Sequence, residues 1–296
     1  MELRHLRYFV AVAEELHFHR AAHRLHISQP PLSQQIRALE REVGVSLLDR
    51  NRRGVTLTPA GASFLEAARA ILEAVDRASD TARRIGHGEL GSLSVGFVGS
   101  AMFSPTLPAI LHEFRARYGD VDLHLRELPT TAQLEALSAG RLDVGVIRGP
   151  IPDSPSAAML ELVVIQSEQL VVALPSAHPL AGARAVRAID LRGETFVILA
   201  RREAPGLFAS LTRVMGSVGD DVLEVAEMQT VIGLVAAGFG VSLVPASVGQ
   251  TERSGVSFRP LADPSPMVEL AIAWRAGTHS PVRDAFLRVA APGEVA

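Results

Sequence analysis

Apolar residues recur at helical spacing from the start of the chain. Leu3, Leu6, Phe9, Val10 and Ala13 define the inner face of a first helix. A second, short helix is expected over 18–26, with Ala21, Ala22 and Leu25 inward; the two alanines are small enough to let another helix cross closely. Ser28 is a candidate N-cap, and Pro30 and Pro31 fall in the turn behind it, where a missing N–H costs nothing. The third helix runs over 29–43 on the stripe Leu32, Ile36, Leu39 and Val43, and Gly44 is a natural terminator. Two short strands follow, 47–50 and 55–58, around the turn Asn51-Arg52-Arg53-Gly54. Three helices and a basic hairpin describe a winged helix-turn-helix, an all-α module with a small β wing, over 1–58.

Thr58 and Pro59 start a further helix as cap and first residue. Phe64, Ala68, Ile71, Val75, Ala78, Ala82 and Ile85 then alternate at spacings of four and three, a heptad seam. Packing against the chain's own second domain is one use for such a seam. Pairing with a second copy is the other, favoured because the helix sits at the joint between domains with Arg69, Arg77, Arg83 and Arg84 outside the seam. This long linker helix is expected over 59–88, ended by Gly86, Gly88 and Gly91.

Beyond Leu90 the period changes. Strands are expected at 93–97, 121–127 and 144–147, with helices at 105–118 and 131–139 between them. A second set has strands at 168–174, 195–199, 222–225 and 241–244 and helices at 206–215 and 230–237. A strand at 267–274 and a helix at 282–290 close the chain. The alternation implies parallel sheets with helical crossovers, an α/β domain over 91–296.

Composition sharpens this picture in three places. The chain has 296 residues and no cysteine, which excludes disulfides and thiolate metal sites. The net charge of −3 is unevenly divided: residues 1–58 carry nine Arg against six acidic residues, and the remainder is acidic. A basic front on an acidic body fits a small nucleic-acid module joined to a non-binding domain. The opening residues lack the basic and apolar runs of a signal peptide, and the most apolar stretches are rich in glycine. The expected compartment is the cytoplasm, without membrane contact.

The chemistry divides accordingly. The apolar stripe of the third helix leaves Gln29, Pro30, Ser33, Gln34, Arg37 and Arg41 outward. Gln can read an adenine edge and Arg a guanine edge or a phosphate. A solvated polar face is the alternative for this helix taken alone; the close second helix and the wing favour recognition of the major groove. Arg52 and Arg53 at the wing tip suit the backbone or minor groove. Asp49 and Arg50 suit a structural role. In the rear domain, ligands of open α/β sheets sit beyond the carboxyl ends of strands, near helix N-termini. Ser100, Thr130 and Arg148 each follow a strand there, and Gln229 precedes a helix in the opposite set. Hydroxyls, helix N–H groups and an arginine suit an anion, most simply a carboxylate. Ser100 and Thr130 also suit plain helix capping, and Arg148 a surface ion pair. No H-E-x-x-H, G-x-S-x-G or phosphate-binding glycine loop is present, so no catalytic residue, metal site or cofactor is expected.

The runs RAAHRLHISQPPLSQQIRALEREVGVSLLDR and GVTLTPAG resemble the LysR-type transcriptional regulators. The resemblance implies that Gln29, Pro30, Ser33, Gln34 and Arg37 face DNA and that Arg53 belongs to the wing. Where the family often has Ser or Thr to begin the second helix, this chain has His19 or Arg20. The family's effector domain resembles periplasmic solute-binding proteins, with a cleft between two α/β lobes. Lobe one would be 91–162 with 268–296, and lobe two 163–267, with crossovers near Leu162 and Met267. GFVGSAMFSPTLPAIL, RELPTTAQLEAL, GRLDVGVIR and GLVAAGFGVSLVPAS are similar to the branch that controls breakdown of aromatic compounds and responds to benzoate, muconate or chlorinated relatives. That similarity implies effector carboxylates at Ser100 and Thr130, with a mobile loop at Pro205, Gly206 and Leu207. It further implies a homodimer assembling to a homotetramer on double-stranded promoter DNA, with RNA polymerase as a further partner, and activation of a catabolic operon. A repressor with another effector is the first alternative. An enzyme or a solute-binding protein fused to a DNA-binding head is the second.

Overall fold

The structure, a computed structural model, describes residues 1–51, 54–151, 153–216, 221–262, 264 and 267–293. The chain divides into two compact units, Met1–Arg83 and Arg84–Ala296.

The first unit is built on α1 (Leu3–Glu15), α2 (Phe18–Arg24) and α3 (Gln29–Val43). Leu6, Phe9, Ala21, Leu32, Ile36 and Leu39 close its core. Val43, expected on the inner stripe, is exposed. The cap of α2 is neither His19 nor Arg20 but His17, whose ring nitrogen Nδ1 accepts from the His19 N–H at 3.2 Å. An imidazole thus supplies the acceptor that a hydroxyl usually provides. Ser28 sits at the N-cap of α3, but its side chain makes no capping hydrogen bond. Gly44 ends α3 at φ 82°, the left-handed geometry that glycine adopts freely.

The wing pairs β1 (Leu48–Asn51) antiparallel with β2 (Gly54–Leu57). Glu40 anchors it: Oε1 accepts from the Leu47 and Leu48 N–H groups at 3.0 and 3.1 Å, and Oε2 meets Arg50 at 3.3 Å. The Arg50 guanidinium also lies 4.8 Å from the Phe18 ring centroid. Arg50 is therefore structural, as expected. The Thr58 hydroxyl accepts from the Gly61 N–H at 2.9 Å and donates toward the Ser46 carbonyl, also at 2.9 Å. Gly61 passes so close to Leu47 that a Cβ there would lie 1.9 Å from the Leu47 carbonyl oxygen. These contacts launch α4 (Pro59–Gly86), about 42 Å of helix at 1.5 Å per residue. Phe64 and Ala68 pack into the head core, Phe64 edge-on to Phe9. Farther along the seam, Ile71, Ala78, Ala82 and Ile85 are exposed.

The second unit has two lobes. The first contains β3 (Gly91–Phe97), α5 (Thr106–Arg117), β4 (Val121–Glu127), α6 (Thr130–Ser138), β5 (Val144–Arg148) and β6 (Leu160–Glu168). The second contains β7 (Leu170–Pro175), β8 (Phe196–Leu199), α7 (Pro205–Met215), β9 (Val222–Val225), α8 (Met228–Ala236), β10 (Ser242–Pro245), α9 (Ala246–Gly249) and β11 (Val256–Pro260). The chain then returns to the first lobe as β12 (Val268–Arg275) and α10 (Pro281–Ala290). The first sheet has the order β4-β3-β5-β12-β6; β3 is parallel to β4 and β5, whereas β12 is antiparallel to β5 and β6. The second lobe joins antiparallel β10-β7-β11 to a parallel β8-β9 pair through a bridge between Phe196 and Val241. The sheets are therefore mixed, not purely parallel.

Two strands, β6 and β11, were not expected from the sequence. β6 moves the first crossover: Leu162 lies inside the lobe-one sheet, paired with Ala273, and the chain crosses after Glu168. The strand expected at 168–174 is β7; Glu168 instead ends β6 in the first lobe's sheet, with Gln169 between them. Phe114, Phe286, Val95 and Ile272 centre the first core, and Val172, Phe196, Val235 and Val244 the second. No helix among the described residues is long and apolar enough to cross a membrane.

Candidate functional site

On the head, α3 presents Gln29, Pro30, Gln34 and Arg37 to solvent, with Ser33 half-buried. Gln34, Arg37 and Arg41 share one shallow groove with Gly44 and Val45. Among the described residues the Arg37 and Gln34 side chains have no hydrogen-bond or ion-pair partner. Arg20, Arg24, Arg50 and Arg69 are instead held by glutamates of the head. Arg37 is thus a cation left available on an exposed helix face. Arg52 and Arg53, expected at the wing tip, lie outside the described residues.

Glu14 ties α1 to α2 and α4. It takes Arg69 of α4 and Arg24 of α2 at 2.7 Å each, and those hydrogen bonds hold its carboxyl below the usual carboxylate range. Sequence spacing gave no hint of Glu14 or Glu40, because both read as ordinary surface acids of amphipathic helices.

In the second unit a cavity of about 420 Å³ lies beyond the carboxyl ends of five strands. Val98, Gly99 and Ser100 follow β3; Leu128, Pro129 and Thr130 follow β4; Arg148 ends β5; Glu203, Ala204 and Leu207 follow β8; Ala226, Glu227 and Met228 follow β9. Such a position, between two sheets and at the starts of α6, α7 and α8, is where α/β folds bind ligands. Neither α6 nor α8 has a side-chain cap at its start.

Ser100 and Thr130 are buried in the cavity wall, and neither caps a helix. The Ser100 hydroxyl accepts from Arg148 Nε at 3.2 Å. The Thr130 residue is only 1% exposed, and its hydroxyl has no hydrogen-bond partner among the described residues. Its N–H crosses the cleft to the Glu203 carbonyl at 3.3 Å, and the Thr131 hydroxyl reaches the Arg202 carbonyl at 2.9 Å.

Arg148 is not a surface ion pair. It is 3% exposed, and its Nη1 donates to Glu168 Oε1 at 2.8 Å. Glu168 also accepts from the Ser247 N–H at 2.6 Å and the Ser247 hydroxyl at 3.1 Å. Burial pushes the Arg148 guanidinium below its ordinary value, and the Glu168 carboxylate opposes that shift. Arg148, the one arginine of the cavity wall among the described residues, is therefore neutralised from behind.

The structure brings Ser100, Thr130, Arg148 and Leu207 to one cavity. Pro205 and Gly206 form the first turn of α7 beside it. A Cβ on Gly206 would lie 2.6–2.7 Å from backbone atoms of Arg148, Gly149 and Pro150, so the lobes touch there and only glycine fits. Gln229 lines an adjoining cavity of about 340 Å³ with Met102, Phe103, Glu127 and Glu227. Sequence reasoning missed Glu127, Glu203 and Glu227, whose only signal was a position at or beyond the end of a strand.

Comparison with known proteins places both units. Residues 3–62 match the model described as bacterial regulatory helix-turn-helix protein, lysR family, and residues 86–292 match the LysR substrate binding domain. AlsR of Bacillus subtilis is 40% identical over 292 residues, covering 98% of this chain and 95% of that protein. The Hca operon transcriptional activator HcaR of Escherichia coli is 42% identical over 294 residues, covering 98% and 97%. Among solved structures, CbnR, described as a LysR family transcriptional regulator, superposes with TM-score 0.82 at 32% identity over 98% of this chain and 100% of that one. Full-length CbnR with its target DNA gives 0.79 at 32% identity, covering 98% of each chain.

Proposed function

The chain belongs to the LysR family of DNA-binding transcriptional regulators and is not an enzyme, and from that premise we propose that it is an effector-responsive activator of a catabolic operon, sensing a small carboxylate such as a muconate or benzoate. The observation that carries the effector reading is the Thr130 hydroxyl, without a hydrogen-bond partner among the described residues, on a residue 1% exposed in the wall of a cavity where two helices begin without side-chain caps. A carboxylate there receives a hydroxyl and helix N–H donors together, the arrangement that favours anions. Ser100 completes the wall, and the first turn of α7 at Pro205, Gly206 and Leu207 forms the facing edge.

On DNA, Gln29, Pro30, Ser33, Gln34 and Arg37 face the major groove, with Arg52 and Arg53 of the wing on the adjoining backbone or minor groove. The exposed part of the α4 seam pairs two copies, so that two recognition helices address a two-fold related site. Dimers assemble to a tetramer, act in the cytoplasm on promoter DNA, and engage RNA polymerase. HcaR, described as an activator, supports the activating sign.

The test is a promoter gel shift and reporter assay with muconates and benzoates, run on the wild type and on Ser100→Ala and Thr130→Val. Loss of the effector response with DNA binding intact is the expected result. A normal response in both variants removes the cleft assignment.

A further inference from the structure

The ligand cleft is acidic. Glu127 ends β4 in the first lobe, and Glu227 is the N-cap of α8 in the second. Both line the main cavity and the one that adjoins it, so they stand on opposite lobes where the two spaces meet. Neither carboxylate has an ion-pair or hydrogen-bond partner among the described residues. Gly99 makes room for one of them: a Cβ there would lie 2.2 Å from Glu127 Oε1. Glu203 adds a third carboxylate, paired only with Arg202, whose side chain is 85% exposed. Among the described residues Arg148 is the one cation in the main cavity's wall, and Glu168 holds it from behind.

A purely anionic ligand meets three glutamates here against one neutralised arginine. The unpartnered Thr130 hydroxyl and the helix starts nevertheless ask for an acceptor in the same cavity. Both demands are met by one class of molecule. We propose that the ligand of this cleft is a small dipolar molecule, with a carboxylate at Thr130 and a protonated amine held between Glu127 and Glu227. The inference rests on the carboxylate reading of Thr130, adds the cationic end, and so replaces a purely anionic effector such as muconate or benzoate with an amino acid. The amine removes the repulsion between two carboxylates on facing lobes and ties those lobes together. Binding and lobe closure are then one event.

The experiment is calorimetric titration of the full chain with matched chains that differ only at the ends: ε-aminocaproate, caproate, adipate and hexylamine. A shorter set repeats it with γ-aminobutyrate, butyrate, succinate and butylamine. In at least one set the amino acid binds at least about tenfold tighter than the monoacid, one charge-assisted hydrogen bond's worth, and the diacid binds weakest. Glu127→Gln/Glu227→Gln, both at exposed positions, removes that advantage and lets the diacid bind as well as the amino acid. Thermal melts establish that this variant is folded. Diacids binding as tightly as amino acids to the wild type overturn the inference and leave the carboxylate reading standing. Amines binding as well as amino acids, with Thr130→Val unchanged, overturn both. No binding by any member of either set overturns the inference and leaves the carboxylate reading to the muconate and benzoate assay.

Discussion

Replacing Glu168 by alanine strands a charge that cannot be dismissed. The Arg148 and Glu168 side chains are 2% and 7% exposed, and the pair closes at 2.8 Å. An arginine keeps its proton even when burial lowers its pKa, so the guanidinium cannot neutralise itself as a lysine could. The variant also leaves the Ser247 N–H and hydroxyl without their acceptor. Removing one partner of a buried pair costs about 3–5 kcal/mol. In a unit of this size that is a fall in melting temperature of roughly 6–20 °C. Arg148→Met/Glu168→Leu removes both charges at similar volume and should recover the part of the loss that comes from the stranded guanidinium, while the Ser247 donors still lack their acceptor. The coupling between the two positions should then be about 2 kcal/mol or more. Urea and thermal melts of the full chain followed by circular dichroism measure it, with a gel shift well below the transition to establish that the head still binds DNA. A loss below about 1 kcal/mol for Glu168→Ala, or a double variant equal to the sum of the singles, would refute the buried-pair account.

Three further outcomes are expected. Gly61→Ala should destabilise the head by about 3 kcal/mol or more, since its Cβ would fall 1.9 Å from the Leu47 carbonyl oxygen; melts and DNA affinity should both deteriorate. Arg37→Ala should weaken promoter binding without changing the fold, and it should relax preference at one base pair by about 1–3 kcal/mol if the side chain reads a base; unchanged binding and specificity remove it from the contact set. Glu14 has a folded-state pKa below its unfolded value, so its contribution is complete above the usual glutamate pKa of about 4.3 and is lost as pH falls through the lowered folded value. Glu14→Gln should therefore cost most near neutral pH, within about 1 kcal/mol for so partly exposed a group, and cost nothing in strong acid; a stability difference that grows on acidification contradicts the Arg24–Glu14–Arg69 clamp.

The head was legible because its signals are local. Pro30 and Pro31 can only open a helix, Thr58 and Pro59 open another, and the alternation of four and three needs no tertiary knowledge. The cap of α2 was not legible, because an imidazole acceptor at His17 depends on which tautomer and rotamer the fold selects. β6 was missed for a related reason. Leu162 and Val164 are exposed on this edge strand, and a register shift between Leu270 and Ala271 interrupts the pairing. Its apolar residues therefore carry no clean inside and outside. Glu168 reads as a polar break in a strand; only its meeting with Arg148, twenty positions earlier, makes it a core residue. The strand ends Ser100, Thr130 and Arg148 were found by the rule that places ligands beyond parallel strands. The glutamates beside them were not, because a carboxylate after a strand looks the same in sequence whether it meets solvent or a ligand.

The contacts across the cleft bound how strongly any ligand can act. On one side the lobes already touch, through Gly206 against the Gly149–Pro150 backbone, the Thr130 N–H to the Glu203 carbonyl and the Thr131 hydroxyl to the Arg202 carbonyl. A carboxylate that takes the Thr130 hydroxyl competes for the neighbouring N–H, whose 3.3 Å bond to Glu203 is long and easily exchanged. Each exchanged hydrogen bond changes the balance between lobe arrangements by about 1 kcal/mol. A group that bridges Glu127 and Glu227 adds an interaction available only when the lobes are near. A ligand shifts the population only by its difference in affinity for the two arrangements. Two or three such contacts give about 1–3 kcal/mol, the usual size of an allosteric coupling and a shift of roughly 5–150-fold. A ligand contacting one lobe alone could bind as tightly and shift nothing, which is why the residues that face each other across the cleft decide whether binding becomes regulation.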